Sequence, residues 1–281
     1  MELRGPLKAA QLYYLRNVTA GVFGGDAYCT RVACAPNGRA RVESSSATKV
    51  YAMPDRHASV AVELKAEADA TIVWGPHATI LQAGSALRQE TRVVLHETAR
   101  VFMAETLVMG RIASGQRFDF ASHDSALVVE DGCGGIQFRE SYHLEPGPDL
   151  EAAMNRLGVL TTVYGLGVSD DSVADGLDRI LVARPLVGWS RLPGGCGLIV
   201  KALSASLSEG TAIARDALDV FEVSAQGQGL GARRRSNLEG VENRGHEDVV
   251  RRGDRQLHQA GQRMRRNQAI EQRLLHPMSA E

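Results

Sequence analysis

Residues 71–111 read TIVWGPHATILQAGSALRQETRVVLHETARVFMAETLVMGR, the densest period-two patterning in the chain, interrupted only by short turn signals. Leu87, Gln89, Thr91, Val93 and Leu95 share one face, while Arg88, Glu90 and Arg92 share the other, as alternation along a pleated strand requires. The first face is made for a core; the second is an alternating-charge ladder. After a turn at His96-Glu97-Thr98, residues 101–109 are almost wholly apolar, which predicts a strand covered on both sides. Glu105 is the single charge in that run. Arg111, the cation on the same face beyond the strand end, is about 20 Å away along an extended strand, too far to pair with it. A carboxylate so placed is costly unless it is paired across strands, protonated or bound to metal.

Working outward, the pattern stays β for the first half of the chain. Residues 3–16 suit one entering edge strand, with Pro6 near its start. Gly21, Gly24 and Gly25 precede a strand at 27–34, so the backbone there turns tightly or approaches something closely. Without a GK[ST] sequel or a following helical pattern, this is not a phosphate loop. Residues 35–38 form a turn, and 39–43 and 60–64 are further strands. Residues 115–120, 126–130 and 136–143 continue the series beyond Arg111. Strands at this spacing, with no amphipathic helix between them, predict a mainly β fold of large stacked or sandwiched antiparallel sheets over residues 1–148. Residues 149–224 predict a small α/β closing unit of the same domain. It has strands at 159–165 and 197–203, a helix at 172–182 behind capping candidates in Ser169-Asp170-Asp171, and a second helix at 208–221.

The composition is that of an ordinary globular chain, and the net charge of −1 conceals an asymmetry. Residues 1–224 hold 21 basic and 26 acidic groups, whereas residues 225–281 hold 11 arginines, no lysine and seven acids. The body gives no electrostatic reason to expect nucleic acid. The tail lacks aromatic residues and apolar periodicity, so residues 225–281 are expected to be a disordered, Arg-rich tail. Cys29, Cys34, Cys133 and Cys196 form no CxxC pair, which fits a reducing cytoplasm and indicates neither a zinc knuckle nor a disulfide framework. No export signal or membrane helix is predicted.

Motifs for chemistry are sparse. There is no GxSxG elbow, and the histidines form neither HExxH nor HxH, so no stable metal site or tightly bound cofactor is expected. A hydrolase using His77 or His123, and an adaptor binding RNA or anionic surfaces through the tail, are the alternative readings. The anomalies are acids in glycine-rich or apolar settings: Asp26, Glu105 and Glu140. The simplest account of each is an ion pair with a neighbour such as Arg111 or Arg139.

Read together, AGVFGGD (20–26), SATKVYAMP (46–54), WGPHATILQAGSALRQET (74–91) and ETLVMGRIASGQRF (105–118) resemble the urease accessory protein UreD (UreH) family in motif and order. Gly24, Gly25, Lys49, Tyr51, Pro76, Gly110 and Arg111 carry the resemblance, which covers roughly residues 5–221. It implies a non-catalytic maturation factor of stacked sheets and a few helices that binds apo-urease together with UreF and UreG. The complex inserts nickel into the urease active site, with GTP hydrolysed by UreG. Asp26, Thr48, Glu105 and Glu140 match polar positions that line an internal metal passage in that family. The chain is several residues shorter than the family between Tyr14 and Gly21, and it lacks the family's Pro-Arg-aromatic ending.

Overall fold

In the computed structural model, which describes residues 2–3, 11–17 and 19–231, the chain winds between two facing sheets. The first sheet runs β1 (Glu2–Leu3), β3 (Ala27–Cys34), β6 (Ala58–Ala66), β9 (Ala86–Leu95), β11 (Ser122–Asp131) and β12 (Ile136–Leu144). The second runs β14 (Val187–Arg191), β15 (Gly197–Ser204), β13 (Val159–Leu166), β10 (Arg100–Val108), β7 (Thr71–Gly75), β4 (Arg39–Ser44) and β2 (Gln11–Leu15). Two short strands complete it: β5 (Thr48–Val50) pairs with β8 (Thr79–Leu81), which also pairs with β10.

The mainly β, stacked-sheet expectation holds, but the direction of pairing differs from the antiparallel one. Ala27 lies opposite Ser59, Ala58 opposite Leu87, and Leu87 opposite His123, all in parallel ladders. In the second sheet Thr71 lies between Arg39 and Arg100, again in parallel ladders. Each coil of roughly 30 residues places one strand in each sheet, a β-solenoid-like winding. The physical reason is that the short turns are corners leading to the opposite sheet, not hairpins. Asn37 takes φ 59° and Asp69 φ 56° at two successive corners. The corners stack through backbone bonds: the Thr71 N–H donates to the Gly38 carbonyl at 2.9 Å, and the Arg100 N–H to the Ala70 carbonyl at 2.9 Å. Alternation reports which face a residue takes, and it is the same whichever way the neighbouring strand runs.

Among the described residues antiparallel pairing is confined to the closing strands, β12 on β11, β13 on β10, β15 on β13 and β14 on β15. Other boundaries differ as well. The expected single strand over 3–16 is two strands in different sheets, with residues 4–10 outside those described. Residues 115–120 are not a strand, because Gly115 (φ 76°) and Phe118 (φ 56°) break the extended repeat after a 3-10 turn at Ile112–Ser114. Phe118 and Phe120 are buried all the same, which is why the segment has a strand-like pattern. Among the described residues there are three α-helices instead of two: α1 (Pro148–Ala153), α2 (Asp171–Leu181) and α3 (Leu207–Gly231). Asp170 caps α2, its Oδ1 accepting the Ser172 N–H at 2.9 Å. Since α3 runs to Gly231, residues 225–231 of the expected tail are helical, and 232–281 lie outside the described residues. Among the described residues no helix is long and apolar enough to cross a membrane.

The helices explain why β10 is apolar on both faces. Its even positions Phe102 and Ala104 pack under α2 and α3, against Leu177, Leu218 and Phe221, while its odd positions face the first sheet. Phe221 is fully buried, its ring stacked on Phe102 with centroids 5.7 Å apart, and Gly165 beneath it leaves no room for a Cβ. Phe221→Ala should therefore cost about 3–5 kcal/mol, read as a lower urea midpoint at unchanged m-value, because the ring has no replacement under α3. An unaltered midpoint would mean that α3 does not seal the second sheet.

Candidate functional site

Between the sheets, inward-facing residues sort into two apolar layers with a polar row between them. On β10, Val101 and Met103 join one layer, Leu107 and, just past the strand, Met109 the other, and Glu105 stands between. On β9 the intermediate positions are Gln89 and Thr91, with Leu87 on one side and Val93 on the other. On β15 Lys201 separates Ile199 from Leu203. Register aligns these positions across the strands. Glu105 lies opposite Thr162, which lies opposite Lys201; in the other sheet Gln89 lies between Val60 and Ser125, and Ser125 opposite Tyr142.

Hydrogen bonds tie the row across the sandwich. The Gln89 amide donates to Glu105 Oε1 at 2.7 Å, and Thr91 adds a second hydrogen bond. Glu140, buried on β12, is held on both oxygens: the Tyr164 hydroxyl donates to Oε2 at 2.5 Å, and the Lys201 ammonium forms an ion pair with Oε1. Burial, helped by the negative charge of Glu140 and opposed by Gln89 and Thr91, pushes the Glu105 carboxyl up to about 7. Burial likewise raises the Tyr142 and Tyr164 hydroxyls, with Glu105 and Glu140 adding to the effect.

The row is sealed only in part: Thr91, Glu140, Thr162 and Tyr164 are buried, and other members are not. Leu64, Val93 and Val101 have lost essentially all accessible surface, whereas Tyr28, Val60, Gln89, Glu105 and Tyr142 retain some. Glu105 keeps accessible surface although Met103 and Leu107, on either side of it along the inner face of β10, are buried. The ladder beside β10 pairs Met103 with Trp74 and resumes at Leu107 with Thr79, so it lapses at Glu105, where Pro76 brings no N–H.

Of the four expected passage residues, Thr48, Glu105 and Glu140 take inward-facing strand positions, whereas Asp26 lies in the turn before β3. Thr48 pairs with Thr79, which pairs with Leu107, one inward step from Glu105. Asp26 closes the glycine turn, accepting from the Phe23 N–H at 2.9 Å and the Tyr28 hydroxyl at 3.2 Å. The ion pairs with Arg111 or Arg139 do not form: Glu105 is held by neutral donors, and the partner of Glu140 is Lys201. The family motifs serve to lock this end of the fold. Val22 bridges Val50, its N–H donating to Lys49 O and its carbonyl accepting from Tyr51 N–H, while Tyr51 stacks on Phe23 at 4.8 Å. A side chain at Gly24 or Gly25 would come up against Arg56, and Gly25 takes φ 88°. Gly110, at φ 128°, lies too close to the Gln116 carbonyl to carry a Cβ, and the Arg111 carbonyl accepts the Ser114 N–H of the next turn.

Lys201 and Tyr164 escaped the sequence reading. The available signal was the one that exposed Glu105: in GLIVKALS a lone cation interrupts an apolar strand, as Glu105 does in VFMAETLV. Of the two candidate histidines, His77 is exposed in the loop before β8, and His123 is buried in the opposite sheet. Among the described residues no group of three or more His, Cys, Asp or Glu converges as a metal cage. Glu105 and Glu140, with the hydroxyls of Thr91 and Tyr164, instead offer hard oxygen donors of the kind that hold a divalent ion weakly.

Fold and site thus define a solenoid-like β protein with a carboxylate row through its interior. A family model described as "UreD urease accessory protein" matches residues 3–236, past the 5–221 that the motifs cover. The chain is 31% identical over 204 residues to a urease accessory protein UreD of Haloarcula marismortui (70% of this chain, 68% of that one). It is 30% identical over 227 residues to one from Natronomonas pharaonis (79% and 76%), and 36% over 181 residues to a UreD 1 of Bradyrhizobium sp. strain ORS 278 (62% and 65%). The chain belongs to the UreD family of urease accessory proteins.

His123 generates a stability prediction. It is 1% exposed, its ring tilted against Tyr142 and its Nδ1 without a hydrogen-bond partner, and burial lowers its pKa to about 4. The folded state therefore resists a proton that the unfolded chain accepts from about pH 6.5 downward. The stability involved is fully present above pH 6.5 and is lost as pH falls to about 4, a change on the order of 3 kcal/mol. Urea midpoints across that range should fall less steeply in His123→Gln than in the wild-type chain, and identical slopes would refute the assignment.

Proposed function

We propose that the chain is a non-catalytic maturation factor that binds apo-urease together with UreF and UreG in the cytoplasm. In this role it carries Ni²⁺ towards the urease active site through the row between its sheets. The supporting observation is the accessible surface retained by Glu105, Gln89 and Tyr142 between two sealed apolar layers. Carboxylates and hydroxyls with water hold Ni²⁺ transiently, where an imidazole or thiolate cage would trap it, and transfer needs weak successive sites. Nickel is cargo here, and no tightly bound cofactor is required. GTP hydrolysis belongs to UreG. Residues 1–148 and 149–224 act as one domain, since β13, β14 and β15 extend the sheet that β10 belongs to. Leu12 and Tyr14, exposed on the edge strand β2, offer an apolar surface for a partner.

Deleting the gene should leave urease subunits present and nickel-poor, and affinity purification from the native cell should recover UreF and urease with the chain. Glu105→Gln separates transfer from structure. Because Gln89 and Thr91 are neutral partners and the carboxyl titrates near neutrality, an amide should change stability by no more than about 1 kcal/mol. UreF binding should persist while the nickel content of urease falls several-fold. A fall in melting temperature with parallel loss of assembly would instead make Glu105 a structural residue.

A further inference from the structure

Lys201 is out of place by the ordinary rules of burial. Its inward neighbours on β15, Ile199 and Leu203, are buried apolar residues, and a lysine between them must be paired or reach water. It does both. The ammonium pairs with Glu140 across the sandwich, while a quarter of the side chain, 25%, remains accessible. The register shows where that water lies: beyond Lys201 the row continues only to Gly188, on the edge strand β14. Glycine has no side chain to cover the lysine stem. In the facing sheet β12, which carries Glu140, is also an edge strand. Lys201 therefore stands where the row opens to solvent, with Glu140 next inward and Glu105 close enough to Glu140 to feel its charge.

We propose that Lys201 is the displaceable counter-cation of this row, its ammonium occupying Glu140 until a divalent cation takes its place and the side chain swings out beside Gly188. The idea rests on the passage reading above and adds a gate to it. Electrostatics favours exchange over coexistence: a dication with Glu105 and Glu140 can form a neutral set, whereas retaining the ammonium leaves an uncompensated positive charge in a low-dielectric interior. Lysine suits the role, being a point charge on a flexible stem, where the planar fork of arginine would lock the carboxylate. The competition keeps cation binding weak, which transfer requires.

The test is calorimetric titration of the full-length chain with Ni²⁺ alone. Lys201→Gln, which keeps a hydrogen-bond donor for Glu140 and loses the charge, should bind about tenfold tighter or more. Lys201→Arg, whose planar fork holds the carboxylate more firmly, should bind no tighter than the wild type, and adding Glu140→Gln to Lys201→Gln should abolish the gain, which separates this site from surface histidines. Equal affinity in Lys201→Gln, or tighter binding in Lys201→Arg, overturns the proposal. The wild-type chain supplies a reading independent of variant folding: acylation of Lys201, followed by peptide mass spectrometry, should rise several-fold as Ni²⁺ is added, with Lys49 and Lys65 unchanged. Labelling of Lys201 that ignores Ni²⁺ also overturns it. Since these measurements use the isolated chain, they stand apart from the passage reading, which fails if Glu105→Gln leaves urease fully loaded with nickel.

Discussion

Two carboxylates between facing sheets must be satisfied from the opposite side of the sandwich, and the organisation of the interior follows from that constraint. Glu105 is flanked along its strand by Met103 and Leu107, which offer it nothing, so its partners are Gln89 and Thr91 of the first sheet. Glu140 stands in the first sheet and is answered by Tyr164 and Lys201 of the second. The polar bonds are reciprocal across the gap. A shift of either sheet by one residue would turn these side chains outward and bury charged ladders in their place, so the row helps to fix register. The same low dielectric that makes an unpaired acid costly strengthens the bonds that satisfy it.

The winding makes such a row possible. Parallel coils stack equivalent positions, so one polar residue per strand at the same height becomes a continuous line through the sheet. Gln89 and Ser125 share a height across a parallel ladder of the first sheet, and the antiparallel ladders that close the second carry the height of Glu105 on to Thr162 and Lys201. Hairpins would also align residues, but connections within one sheet would not return the chain to the facing sheet at each coil. The antiparallel strands β12 to β15 end the winding and supply Glu140, Thr162, Tyr164 and Lys201, half of the row's chemistry. Helices α2 and α3 then cover the outer face of β10, leaving its inner face free to carry a charge.

Face and burial were legible from residues alone wherever period two was strong. The inward set of β9 is the one that alternation assigns, and the wholly apolar run around Glu105 is covered on both sides as expected. Pairing direction was not legible, because corners such as Asn37 and hairpin turns draw on the same residue types and the contacts that distinguish them lie a whole coil away. At the site, Glu105 and Glu140 stood out as acids where burial is costly. Their partners did not, since Gln89 and Thr91 are unremarkable in an alternating strand, and Lys201 is distant in sequence from the acid it serves. In the glycine-rich turn Gly21 read correctly as a point of close approach; that Val22 and Val50 join the two motifs was visible only in the fold.

The account turns on whether a divalent cation enters the space beside Glu105. Crystals of the full-length chain exposed to Ni²⁺ and measured at the nickel absorption edge give the most direct answer. The account predicts anomalous density between the sheets, within coordination distance of Glu105 or Glu140, and its loss in Glu105→Gln/Glu140→Gln. Density confined to surface histidines such as His77, His96 and His143, with none between the sheets, would contradict it.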